Sequence, residues 1–153
     1  IGFRLLTTLL QTYSGDIDAV IASLKDVKEE QKETLRRRCV CAWYWIKESA
    51  PDCAPDFCFT LREDGSKAED ISGEMLTAVR RVRDEVVPRL YTFAVDKECQ
   101  QAMYDIATEL GLESKALFTA LYHALIGKDQ GPRLASFFRI IGKEKLQKIL
   151  SVY

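Results

Sequence analysis

Apolar residues recur every three to four positions along almost the whole of this chain, and glycines fall where the runs stop. That spacing is the repeat of one helix face, so the chain must bury a series of amphipathic helices rather than build a sheet. Leu5, Leu6, Leu9, Leu10 and Tyr13 predict an opening helix that ends at Ser14-Gly15. Asp16 then reads as the N-cap of a short helix carrying Ile17, Val20, Ile21 and Leu24. A longer helix is expected from about Lys28 to Glu48, burying Leu35, Cys39, Ala42, Trp43 and Ile46, with Pro51 and Pro55 as its stops. Ser72 is expected as the next N-cap, with Ile71 against Leu76 as a staple. Met75, Leu76, Val79, Val82, Val86 and Leu90 continue one apolar face, which Pro88 should kink or interrupt. Asp96 is expected to cap a helix carrying Cys99, Met103, Ile106, Ala107 and Leu110 that closes at Gly111. Ser114 should cap another, with Phe118, Leu121, Tyr122 and Leu125, ending at Gly127. Leu134, Phe137, Phe138 and Ile141 form a helix closed by Gly142, and Leu146, Ile149, Leu150 and Tyr153 the last one.

Residues 56 to 63 break the pattern. Phe57, Phe59 and Leu61 alternate with Cys58, Thr60 and Arg62, and Asp64-Gly65 follows as a turn. A lone strand has nothing to pair with, so this is expected to be an extended segment packed on helices, able to separate two lobes. Trp43 and Trp45 lie about 200° apart on their helix. At most one of them belongs to the main core, and the other is expected to pack around Phe57. The class is therefore all-α: a multi-helix cage of two small lobes, with at most one short extended segment near 56–63. The lobes are expected at 1–95 and 96–153.

The chain has 153 residues, 47% of them apolar and 29% charged, which is ordinary for a globular protein with a core of its own. No apolar run approaches the roughly 18 residues needed to span a bilayer, and the opening lacks the basic and apolar regions of a signal peptide. The chain starts without Met inside an apolar periodic segment, as expected of a piece of a longer protein. Net charge is −1, but residues 115 to 153 hold seven basic side chains against two acidic ones. That stretch is +5 and the first 114 residues are −6, a distribution suited to a local polyanion contact, although a solvated lysine-rich face would look the same. The odd count of five cysteines favours free thiols and a reducing, cytoplasmic setting. Cys39 and Cys41, two apart in a helix, point in nearly opposite directions and cannot share one tetrahedral zinc. The thiols are read as small buried hydrophobes, with no metal expected.

A single histidine, His123, excludes any two-histidine metal motif and offers a catalytic triad one possible base. Neither GxxxxGKS nor GxGxxG is present. The acidic residues are scattered among basic ones rather than paired in an apolar frame. No catalytic residue is expected, and His123 is read as a helix-surface or lobe-interface residue.

The most specific run is Phe118-Thr-Ala-Leu-Tyr122-His-Ala-Leu-Ile-Gly127-Lys-Asp-Gln-Gly131-Pro132-Arg133-Leu134-Ala-Ser-Phe137. It resembles the pattern F-x-x-L-Y-x-x-L-x-G-x-x-x-G-P-R-x-x-x-F of the C-terminal anticodon-binding domain of class I lysyl-tRNA synthetases. Met103-Tyr104-Asp-Ile106-Ala107 to Leu110-Gly111-Leu112 and Ile140-Ile141-Gly142-Lys143-Glu144 look like the flanking helices of that family. The opening Ile1-Gly-Phe3-Arg-Leu5-Leu6 and the stretch from Trp45-Ile46 to Ala54-Pro55 fit more loosely. The related lobe of glutamyl-tRNA synthetases is the nearest competitor. It usually has Leu-Arg where this chain has Leu121-Tyr122, and often Thr-Gly in place of Ile126-Gly127. Tyr122 and the Gly-Pro-Arg triplet tilt the likeness toward lysine.

The resemblance implies an upstream Rossmann catalytic domain that binds ATP and forms lysyl-adenylate. Its HIGH-type and KMSKS-type signatures are absent from this sequence. The fragment is therefore expected to bind lysine tRNA at the anticodon stem-loop without aminoacylating it, and to hold no cofactor itself. Its partners are expected to be tRNA and its own catalytic domain, not DNA or a membrane. The lysine anticodon is UUU or CUU, and uracil presents two acceptors and one donor. A pocket for it needs N–H groups facing O2 and O4 and a carbonyl facing N3. Gly131 can let backbone approach a base, Pro132 suits the first position of a helix, and N–H groups at Arg133 to Ala135 would point outward. By resemblance, the anticodon-binding positions are Thr119, Tyr122, Gly131, Pro132 and Leu134, with Arg133 added from the triplet. The candidate phosphate contacts are Lys128, Lys143, Lys145 and Lys148. Gly127 and Gly131-Pro132 can equally be read as a helix stop and start, and Tyr122 as a core aromatic. A helical protein–protein module without RNA binding remains the alternative from another class. The Arg36-Arg37-Arg38 and Arg80, Arg81, Arg83 clusters are read as solvated faces.

Overall fold

A computed structural model describes residues 1–63 and 65–153, apart from the side chain of Asp56. The turn expected at Asp64-Gly65 lies outside the described residues. Among these, nine α-helices and no strand are found, so the all-α expectation holds. No helix among them is long and apolar enough to cross a membrane. The chain divides into two compact units, Ile1–Thr60 and Leu61–Tyr153, so the lobe boundary expected at 95/96 falls inside the second.

The first unit contains α1 (Phe3–Thr12), α2 (Ile17–Ser23), α3 (Glu29–Glu48) and the single turn α4 (Ala50–Cys53). Leu6, Leu9 and Leu10 of α1, Val20 and Ile21 of α2, and Leu35, Cys39, Ala42 and Ile46 of α3 form its core. The expected caps at its start are correct: Asp16 accepts a hydrogen bond from the Ala19 N–H at 3.1 Å, and α1 ends as Ser14 and Gly15 take positive φ. Gly15 is fixed by packing as well as by its φ of 82°. A Cβ there would meet the Trp43 indole at 2.5 Å, and that half-buried ring lies over the turn rather than in the core. Pro51 does not stop α3, which ends at Ser49. It opens α4 instead, where a missing N–H costs no helical bond.

The alternating segment begins with a 3₁₀ turn over Pro55–Phe57 and continues extended at Cys58. Its backbone pairs with a side chain instead of a strand. The buried Gln11 carboxamide donates to the Phe57 carbonyl at 3.3 Å and accepts from the Phe59 N–H at 2.7 Å. Trp45 packs edge-on against Phe57 at 5.6 Å and against Phe3 at 5.4 Å, as the two-tryptophan argument expects. Of the five thiols, Cys39 and Cys99 are buried, Cys58 is half-buried, and Cys41 and Cys53 are exposed. The reading of the thiols as buried hydrophobes is therefore too broad: Cys41 faces away from Cys39 on α3, and Cys53 is exposed at the end of α4.

The second unit contains α5 (Gly73–Arg81), α6 (Asp96–Glu109), α7 (Ser114–Ile126), α8 (Leu134–Ile141) and α9 (Lys143–Leu150). Pro88 interrupts the run after α5 as expected: it cannot donate to the carbonyl four residues back, and the chain widens to a π turn over Val82–Val86 before tightening to 3₁₀ over Val87–Thr92. The extra residue per turn brings Val87 inward beside Val82, Val86 and Leu90, all four with no exposed surface. Phe137 and Phe138 of α8 are both fully buried, because the short helix has neighbours on both sides, α6 and α9.

Of the three caps expected in this unit, one is in place and two are displaced by one residue. Ser72 occupies the N-cap position of α5 without a side-chain hydrogen bond. Asp96 and Ser114 are the first helical residues, preceded by Val95 and Glu113. The Asp96 carboxylate accepts from Ser136 Oγ at 2.8 Å and pairs with Arg139 at 3.1 Å, partners that outcompete its own helix end. Glu98 accepts from the Ala94 N–H at 3.0 Å, reaching back across the helix start in the manner of a capping box. The C-terminal Tyr153 closes the unit: its hydroxyl oxygen accepts from the Ala68 N–H at 2.7 Å and its carbonyl from Arg80 Nε at 2.6 Å.

Candidate nucleic-acid interface

The motif folds as a corner between α7 and α8. At its start, Gly127 takes φ 68° and its N–H reaches the carbonyls of Tyr122 and His123. Arg62, from the segment before α5, completes that helix end. Its backbone N–H donates to the Leu125 carbonyl at 2.7 Å, and its guanidinium donates to the His123 carbonyl at 3.1 Å and to Ser66 at 3.0 Å. A cation on the last carbonyls of a helix is also favoured by the helix dipole.

Tyr122 shapes the rest of the corner. Its half-buried hydroxyl donates to the Pro132 carbonyl at 2.7 Å, and burial pushes its phenol pKa up, which keeps the proton on the donor. Gly131 lies under the same ring. A Cβ there would sit 3.2 Å from two Tyr122 ring atoms and 2.8 Å from Ile126 Cδ1. The glycine expected to admit a base thus already admits a tyrosine. Pro132 is not the first residue of α8, which begins at Leu134 with Arg133 as its N-cap. Pro132 stands one residue before the cap, where its fixed φ sets the entry of the chain.

The predicted contact residues separate by exposure. Leu134 is 1% exposed and belongs to the core, so only its backbone is available at the helix start. Thr119 is half-buried and its hydroxyl donates to the Lys115 carbonyl at 3.0 Å. Arg133 is exposed, and no described residue pairs with its guanidinium. Beside it the N–H groups of Leu134, Ala135 and Ser136 stand in the first turn of α8, where a helix provides no carbonyl partner. Among the lysines, Lys145 is paired with Glu63 at 2.9 Å, which competes with a phosphate. Lys128 is half-buried in the loop, Lys143 is half-buried with its N–H on the Tyr91 hydroxyl at 3.1 Å, and Lys148 is exposed. In the other basic clusters Arg36 pairs with Asp18, Arg37 with Glu33, Arg81 with Glu85 and Glu109, and Arg83 with Asp84, while Arg38 and Arg80 donate to the Ile1 and Tyr153 carbonyls. The carboxylate-paired arginines form charge-balanced faces.

Sequence reasoning missed two residues here. Arg62 gave no signal, since its partners lie 61 positions away. His123 was visible only as a surface residue. In the structure its Nδ1 contacts Asp70 and its Nε2 contacts Asp129, and the hydrogen bond to Asp129, then that to Asp70, raises its pKa against the opposing effect of burial. Among the described residues no group of three His, Cys, Asp or Glu side chains is arranged to hold a metal ion. What the corner offers a ligand is one unpaired guanidinium, a helix N-terminus and a carbonyl-bearing loop held in place by an aromatic ring.

Residues 57–151 match the model of a family described as anticodon binding domain. Over its full length the chain is 47% identical to a lysine–tRNA ligase of Treponema pallidum and 33% identical to one of Borreliella burgdorferi, covering 28% and 29% of those proteins. Over 97% of its length it is 34% identical to a lysine–tRNA ligase of Thermococcus kodakarensis, covering 28% of it. The chain spans less than a third of the length of these curated relatives.

Proposed function

Since the chain belongs to the anticodon binding domain family, we propose that its second unit reads the anticodon of lysine tRNA for an ATP-dependent lysine–tRNA ligase whose catalytic domain lies outside this sequence. The setting is the cytoplasm. Arg133 and the N–H groups at the start of α8 supply donors for the O2 and O4 atoms of unstacked uridines. Tyr122 and Gly131 hold that edge in place, and Lys128, Lys143 and Lys148 provide phosphate contacts around it. Lys145 contributes less, through its pairing with Glu63. Thr119 and Leu134 act through position and backbone, because the Thr119 hydroxyl has a carbonyl partner and the Leu134 side chain is buried.

The observation that carries this reading is Arg133: an exposed guanidinium without a carboxylate, mounted on the N-cap of a helix beside a fixed carbonyl. An exposed arginine kept free of ion pairs is available to an outside acceptor without breaking an existing contact. Tyr122 supports the lysine reading over the glutamyl one. Where the glutamyl relatives carry arginine this chain has a phenol already engaged by Pro132, so its base contact is limited to the ring.

The test is binding of a stem-loop with a UUU anticodon, against one with a scrambled loop, at moderate salt. Arg133→Ala is expected to weaken the UUU complex by about tenfold and to remove most of the preference over the scrambled loop. Equal affinity of the unaltered chain for both loops would overturn the reading, and flat salt dependence would point instead to a protein-binding module.

A further inference from the structure

Two α7 side chains hydrogen-bond the loop from Gly127 to Arg133. One is Tyr122, which donates to the Pro132 carbonyl; the other is His123, which holds Asp129 in the middle of the loop. The second contact continues through the ring to Asp70, in the segment just before α5. We propose that His123 is a positioning residue for the Gly131-Pro132-Arg133 corner: as an imidazolium it bridges Asp70 and Asp129 and so holds the loop in the form that meets RNA.

A carboxylate only accepts hydrogen bonds, so a ring with a carboxylate oxygen on each nitrogen must carry two protons. The neutral imidazole carries one, and whichever nitrogen loses its proton turns a lone pair toward an anion. One bridge must then open. The exposed Asp129, on the loop and with 81% of its side chain accessible, is freer to swing away than Asp70 at 59%. Among the described residues, the charged groups around the ring are these two carboxylates and Arg62, whose guanidinium reaches the His123 carbonyl; Lys128 shares the loop with Asp129. The direct contacts on both nitrogens leave no room for an ion between ring and carboxylate. Loss of the Asp129 contact would remove one of the two α7 side-chain hydrogen bonds to the loop, and would loosen the carbonyl and N–H edge that Arg133 extends.

The inference rests on the proposed anticodon reading, but its first test does not need RNA. His123 is the one histidine in the chain, so its Hε1 resonance can be followed through a pH titration without assignment. The ring should titrate above the ordinary imidazole value of about 6.5. Asp129→Asn should bring it back toward that value, and Asp70→Asn should do so by less. Amide exchange at residues 128–131, corrected for its intrinsic pH dependence, should accelerate as the ring loses its proton. A ring that titrates at or below the ordinary value, or is unmoved by Asp129→Asn, overturns the proposal. So does loop exchange indifferent to the ring. With the UUU stem-loop, affinity should fall about two- to fivefold as pH rises through the measured ring pKa, the size expected of an exposed ion pair. His123→Gln should show no such fall. The same fall in His123→Gln refutes the coupling. Failure of the stem-loop to bind at any pH overturns the anticodon reading alone, since ring titration and loop exchange still decide whether the clamp exists.

Discussion

Tyr122→Phe separates two uses of one hydroxyl. In the structure that group donates to the Pro132 carbonyl at 2.7 Å from a half-buried position, with the ring between α7 and the Gly131 backbone. Removing the oxygen leaves the ring and its packing in place and takes away one hydrogen bond. A neutral intramolecular bond contributes about 0.5–1.5 kcal/mol, and the half-buried Pro132 carbonyl it leaves can recover part of that from water. A loss of about 1 kcal/mol should lower the melting temperature of a chain this size by about 2–4 °C. Far-UV circular dichroism through a thermal ramp reads that shift, and the spectrum before unfolding should keep its helical signal. Stem-loop affinity should drop modestly, because the corner is loosened and not stripped of donors. The opposite pattern, unchanged melting with affinity lost tenfold or more, would mean that the hydroxyl serves the ligand and that its contact with Pro132 is incidental.

Gly15→Ala should cost more than any single loss at the corner. It forces a residue with a side chain to φ 82° and drives a Cβ into the Trp43 indole, together about 2–5 kcal/mol by denaturant unfolding. A melting point equal to that of the unaltered chain would show that the indole moves aside freely. Arg62→Ala should destabilise by about 1–2 kcal/mol, since it uncaps the end of α7. The check is faster amide exchange at Gly127, and unchanged exchange there would remove Arg62 from the cap. The stability that His123 adds follows from the sign of its shift. Its pKa is raised in the folded chain, chiefly by Asp129, so the contribution is complete below about pH 6.5 and is lost as pH rises through the folded value. Urea unfolding should show the gap between the unaltered chain and His123→Gln closing as pH rises from about 6.5 through the ring's folded pKa, from at most about 1 kcal/mol. A gap that widens with pH contradicts the imidazolium assignment.

The parts of this protein written in the sequence are those whose causes lie within a few residues. Apolar spacing marked out the helices, and Gly15, Gly111 and Gly127 marked ends where only a positive φ lets the chain turn. Asp16 could be read as a cap because its acceptor and the Ala19 N–H are three residues apart. The Gly-Pro-Arg run was legible in the same way, as a short string of residues with backbone consequences.

Residues with several possible partners behaved differently. Asp96 and Ser114 had the chemistry of caps but not the position, and Asp96 found Ser136 and Arg139 about forty positions on. Gln11 carried no mark that it would bind Phe57 and Phe59, nor Arg62 that it would close α7. His123 could be placed on a helix, but its charge was decided by two carboxylates from different segments. Gly131 was read as room for a base, and the folded chain fills that room with Tyr122. Backbone geometry is a local property, so sequence determines it well. Which polar group meets which depends on what the burial of apolar faces has already brought together, and only the tertiary structure settles that.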